Sequence, residues 1–197
     1  MSDEPRYIYN LNNYVHFLKT FIEELQIDNP IILGHSFGGR IAIKYASKYE
    51  NISKLILVDS AGIKKRLSIK KKLEILKYKI LKKFYRITKN IKKYNELTNT
   101  YGSTDYINST NIMKGVLSKV VNEDLTKLLK NIKVETLIIW GKDDLTTPYT
   151  DAIKMNKYIK NSGLVTIDSA GHFPYLERKK YFNIILNNYL EVDNICK

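Results

Sequence analysis

The chain has 197 residues, enough for one domain with a sizeable core, and 44% of them are hydrophobic, as in globular proteins. Its single cysteine, Cys196, excludes a disulfide framework within one chain. The net charge of +13 invites a nucleic-acid reading, but residues 64–93 hold fourteen Lys and Arg against one acid, Glu74, and the remainder is balanced.

MSDEPRYIYN carries neither a basic n-region nor an apolar h-region, and no apolar run reaches the roughly 18 residues of a membrane span. A cytoplasmic location is therefore expected. Residues 11–27 place Val15, Leu18, Ile22 and Leu25 at helical spacing, which predicts an amphipathic helix. PIILG (30–34) is a short continuous apolar run, as in a buried parallel strand. A helix is predicted from about Gly38 to Tyr49. KLILVDSAG (54–62), ETLIIWGKDD (135–144) and LVTIDSAGH (164–172) repeat the strand-then-turn pattern. A helix around 150–160 separates the last two, and KKYFNIILNNYLEV closes with another. Strands alternating with helices imply an α/β fold, a doubly wound parallel sheet of about four strands.

Residues 64–115 read as a helical insertion between two core segments, 1–63 and 116–197. Leu73, Leu76, Ile80, Phe84, Ile87 and Ile91 form one apolar stripe, with Lys and Arg opposite. A polar break, NTYGSTDYINSTN (99–111), follows, and NEDLTKLLKN (122–131) is expected as a capped short helix.

Only nine glycines occur, yet Gly34, Gly38 and Gly39 bracket Ser36 in ILGHSFGGRIAI. Gly34-His35-Ser36-Phe37-Gly38 fits G-x-S-x-G, in which a nucleophile projects from a strained strand-to-helix turn. Small neighbours let that turn close, a role assigned here to Gly34 and Gly38. The backbone N–H of Phe37 would donate to an oxyanion at the helix N-terminus. A serine needs a base, and the chain has three histidines. His16 lies within the first helix, and the His35 side chain should point away from Ser36. His172, in the loop after the fourth strand, remains. A carboxylate should orient it. Asp143 and Asp144 follow the third strand, Asp59 follows the second, and Asp168 stands too close to His172 in sequence. These groups follow strand C-termini, where open α/β sheets bind ligands.

IDNPIILGHSFGGRIAIKYASKY resembles the strand–elbow–helix of the α/β-hydrolase family. LIIWGKDDLTTP resembles the family's acid segment, W-G-x-x-D-x-x-x-P, which selects Asp144 four residues before Pro148. AGHFPYLE resembles its histidine segment, G-H-x-x-x-x-E, with Glu177 opening the last helix. The order Ser36, Asp144, His172 is the chain order of that family's triads. The resemblance implies a serine hydrolase acting without metal or cofactor on a small-molecule, ester-like substrate of apolar character. Asp59 and Asp143 stay as reserve acids, and residues 64–115 become the helical cap, its stripe lining the substrate pocket. Amidases, C–C bond hydrolases and acyltransferases belong to the same family and are kept as alternatives.

Members of the family begin with further strands and a His-Gly loop that supplies a second oxyanion donor. MSDEP resembles the middle of a later segment, so an N-terminally truncated fold lacking that donor is expected. PIILG would then be a bare edge and the first helix would lose cover, giving a chain that is unstable alone or completed by another chain, a second copy of itself included. A catalytically impaired remnant is the rival reading. For residues 64–93 the reading preferred is a solvated lysine face over a packed stripe, with no nucleic acid bound. Contact with an anionic membrane surface is its alternative.

Overall fold

The computed structural model describes residues 3–64, 68–101 and 109–191. Cys196 and most of the polar break lie outside them. Contacts divide the chain into two compact units, one of residues 1–10 and 65–122, the other of residues 11–64 and 123–197. These boundaries differ from those read off the sequence. The N-terminal ten residues and the segment to Asn122 go with the insertion.

The larger unit is a parallel four-stranded sheet in the order β1 (Ile31–His35), β2 (Lys54–Val58), β3 (Thr136–Gly141), β4 (Ser162–Ile167). Side chains alternate across a strand, so each apolar run feeds two cores. Leu55, Leu57, Ile138 and Trp140 face one side, where α1 (Leu11–Glu24), α2 (Phe37–Ala46) and α6 (Tyr149–Tyr158) contribute Leu11, Ile43, Tyr45 and Met155. Ile56, Val58, Leu137 and Ile139 face the other, where α8 (Lys179–Leu190) brings Phe182. Helices on both faces of a parallel sheet make the predicted doubly wound α/β architecture.

The α1 stripe is buried at Val15 and Ile22, but Leu25 stays 57% exposed beyond the end of the helix. Gln26, with φ 51°, ends that helix in the left-handed region. Ile31 and Leu33 of edge strand β1 are each 47% exposed. Residues 122–131 form a short 3₁₀ turn, Leu129–Asn131, rather than the expected capped helix. The Asp124 carboxylate accepts from the Thr126 N–H at 3.1 Å, an Asx turn that competes with helical bonding.

The smaller unit contains α3 (Ile69–Ile87), α4 (Ile91–Tyr101) and α5 (Asn111–Val121). Thr110 caps α5 by accepting from the Met113 N–H at 3.2 Å. The expected stripe is not packed: Leu73, Leu76, Ile80, Phe84 and Ile87 of α3 are 53–68% exposed and Ile91 of α4 is 71% exposed, and Ile69, at the start of α3 on the same face, is 77% exposed. No helix among the described residues is long and apolar enough to cross a membrane.

Candidate active site

The C-terminal end of β1 runs directly into α2, and Ser36 occupies the joint with φ 51° and ψ −114°. A non-glycine residue there is strained, and it persists because the surroundings fix it. Its N–H donates to the Val58 carbonyl at 3.2 Å, and its carbonyl accepts from Ala61 at 3.0 Å. The serine is thus tied to the end of β2 from both sides. The helix can approach the strand because Gly34 has no Cβ. One built there would lie 2.8 Å from the Gly38 carbonyl oxygen and from the Gly39 Cα. The second crowded glycine is Gly39, where a Cβ would meet Ser60 Oγ at 1.9 Å. Gly38, expected to supply that space, has nothing within 4 Å of its Cβ position.

His172 Nε2 lies 2.9 Å from Ser36 Oγ, and its Nδ1 lies 2.8 Å from Asp144 Oδ2. The carboxylate can only accept, so Nδ1 carries a proton and Nε2 is left to accept from the serine. Asp144 is buried, whereas Asp143 is exposed. Two backbone donors converge on Asp144 Oδ1, from Thr146 at 2.6 Å and Thr147 at 3.0 Å. The Thr147 hydroxyl bonds Oδ2. Burial alone would push this carboxyl up, but the hydrogen bonds from Thr147, His172 and Thr146 outweigh it and hold the pKa below its usual range. Thr147 is itself fixed, because its carbonyl accepts from Trp140 Nε1 at 2.9 Å.

The loop bearing His172 is held at three backbone atoms. Glu177, at the end of α7 (Pro174–Glu177), accepts from the N–H groups of Gly171 at 2.7 Å and Phe173 at 3.0 Å. The His172 carbonyl accepts from His35 Nε2 at 2.7 Å. Beyond that bond to the main chain, the His35 ring lies beside that of His172, with the centroids 4.8 Å apart. Burial lowers its pKa most; the carbonyl contact opposes this, and the adjacent His172 adds to it.

Asp59 is fully buried, and its Oδ1 accepts from the Gly141 N–H at 2.9 Å. Its Oδ2 has no hydrogen-bond partner among the described residues. Burial, then the neighbouring Asp144, raises its pKa to about 8 against the Gly141 bond. Asp59, Asp144 and His172 bring their carboxylate and imidazole atoms within 4.8 Å of one another, the spacing of a possible metal trio. Here, however, the His172 Nδ1 is directed at Asp144. The Phe37 N–H belongs to the first turn of α2, whose donors have no partner within the helix. Thr147 is the residue that sequence reasoning missed. Its only signal was its place between Asp144 and Pro148.

The family model described as serine aminopeptidase, S33, matches residues 2–179. The chain is 29% identical over 207 residues to the AB hydrolase superfamily protein YisY of Bacillus subtilis, covering 95% of this chain and 76% of that one. It is 29% identical over 191 residues to a proline iminopeptidase of Saccharolobus solfataricus, covering 80% of this chain and 61% of the relative. The solved esterase EaEST from Exiguobacterium antarcticum superposes with a TM-score of 0.69 at 26% identity, over 96% of this chain and 77% of that one. Hydrolases of the α/β fold thus surround the chain in sequence and in structure, and it belongs to the serine aminopeptidase S33 family of α/β hydrolases.

Proposed function

We propose that the protein is a serine hydrolase of small or medium apolar esters, working through Ser36, His172 and Asp144. The observation that carries this reading is the unbroken relay of 2.9 Å and 2.8 Å contacts ending on a strained, elbow-placed serine. Ser36 Oγ would attack the ester carbonyl carbon while its proton passes to His172 Nε2. The resulting imidazolium is stabilised by ionised Asp144. The Phe37 N–H and the positive end of α2 face the developing oxyanion. Nε2 then protonates the departing alcohol, leaving an acyl group on Ser36. A water molecule, deprotonated by the same nitrogen, releases the acid.

Ester hydrolysis is favoured over its alternatives by the esterase among the solved relatives. A peptide bond or a C–C bond is the second choice, since relatives include proline iminopeptidases and the Pseudomonas putida 2-hydroxy-6-oxononadienedioate/2-hydroxy-6-oxononatrienedioate hydrolase 1. The test is turnover of short-chain aryl esters beside an aminoacyl arylamide. Ester turnover that Ser36→Ala abolishes supports the proposal. Full activity in that variant overturns it, and a folded protein inactive on both substrates favours the impaired remnant.

A further inference from the structure

Helix α3 spans residues 69–87, about 28 Å at the usual helical rise. At 100° per residue, Ile69, Leu73, Leu76, Ile80, Phe84 and Ile87 fall within roughly 80° of arc. A soluble amphipathic helix normally turns such a stripe inward. This one does the reverse. Its half-buried residues include Ile75, Tyr78, Leu81, Lys82 and Tyr85, from the other side of the helix. Lys82 sits 5.6 Å from the ring centroids of both Tyr78 and Tyr94, and Lys93 sits 6.0 Å from that of Tyr85. The α3–α4 hairpin therefore closes through tyrosines and lysines, and the aliphatic stripe stays open.

The stripe's borders are cationic. Lys70 and Lys77 lie along one margin, Lys79 and Lys83 along the other, and all four are exposed. The only acid of residues 64–93, Glu74, is on the half-buried side. We propose that α3 docks on an anionic lipid bilayer, lying in the interface with its Leu/Ile/Phe stripe among the acyl chains and its bordering lysines at the phosphates. Charge decides between occupants. A second copy docking through its own α3 would bring lysine borders against lysine borders, with no acid on the stripe side of either helix. A nucleic acid would satisfy the lysines but leave six large apolar side chains facing phosphate and water. An anionic bilayer satisfies both. This proposal is independent of the hydrolase reading.

The test is co-sedimentation of the full chain with phosphatidylcholine vesicles containing roughly one third phosphatidylglycerol. Binding is expected, weaker by about tenfold on pure phosphatidylcholine and weakened by salt. The pair Ile80→Glu and Phe84→Glu, both at exposed positions, should lower binding about tenfold or more with an unchanged far-ultraviolet dichroism spectrum. Leu76→Gln with Ile80→Gln gives a neutral control with the same expected direction. Replacing Lys77 or Lys83 by Ala should cost about fivefold each. Equal sedimentation with neutral and anionic vesicles, or undiminished binding by the stripe variants, overturns the proposal. So does duplex DNA bound more tightly than the vesicles, or a dimer that the stripe variants dissolve in a chain that ignores lipid.

Discussion

His35 donates from Nε2 to the main-chain carbonyl of His172 across 2.7 Å, joining the strand end that leads into Ser36 to the loop that carries His172. A carbonyl can only accept, so the contact requires a proton on that nitrogen. On the proposed mechanism His35 is a positioning residue. His35→Phe keeps a ring but loses the donor, and kcat should fall about tenfold to a hundredfold with little change in KM. His35→Gln, which can still donate, should recover most of the loss. The pair is read by steady-state kinetics. An unchanged kcat in the Phe variant would contradict the role.

Asp59 predicts a stability slope. Its folded pKa is about 8, against an ordinary value of 3.8, chiefly because it is buried. Between these values the folded state keeps a proton that the unfolded chain has released, so stability contributed here falls as pH rises from about 4 to 8. Asp59→Asn keeps the acceptor for Gly141 and needs no proton. It should gain about 2 kcal/mol at pH 8 and flatten the slope, measured by urea unfolding across that range. His35 slopes the other way. Its lowered pKa means stability is lost as pH falls below the usual 6.5.

The Glu177 carboxylate receives both N–H groups that flank His172. Glu177→Ala should lower kcat about tenfold and cost about 1 kcal/mol, since the carboxylate is exposed and water replaces part of each bond. Glu177→Gln retains one acceptor and should fall between Ala and the native residue in the same assays.

The glycines give a contrasting pair. Gly39→Ala drives a Cβ into Ser60 and should destabilise the chain by about 2 kcal/mol or more. Gly38→Ala meets open space in a helix and should be neutral or stabilising by up to about 1 kcal/mol. Thermal unfolding of both variants checks the assignment.

Much of this architecture is written locally. Four apolar runs named four strands within a residue or two; Ser36, Asp143, Asp144 and His172 follow three of them, and only the family resemblance chooses Asp144 from the two aspartates. The misreadings concern partners far away in sequence. Gly38 looked like the crowded glycine because it completes the motif, but the crowding comes from Ser60, on the β2 turn. Alternation along β1 sets the face on which His35 lies, but does not say that the His172 loop passes there. Periodicity found the α3 stripe but could not say which side the hairpin would close on. Thr147 and the burial of Asp59 depend on β3 lying beside β2, a pairing that no single segment encodes.

The central claim, that Ser36 is an activated nucleophile, is tested most directly by a fluorophosphonate probe followed by intact-mass and peptide mapping. The expected result is one adduct, on Ser36, absent from Ser36→Ala and slowed at least about a hundredfold in His172→Ala. A folded protein that takes up no probe, or one labelled equally well after Ser36→Ala, would contradict it.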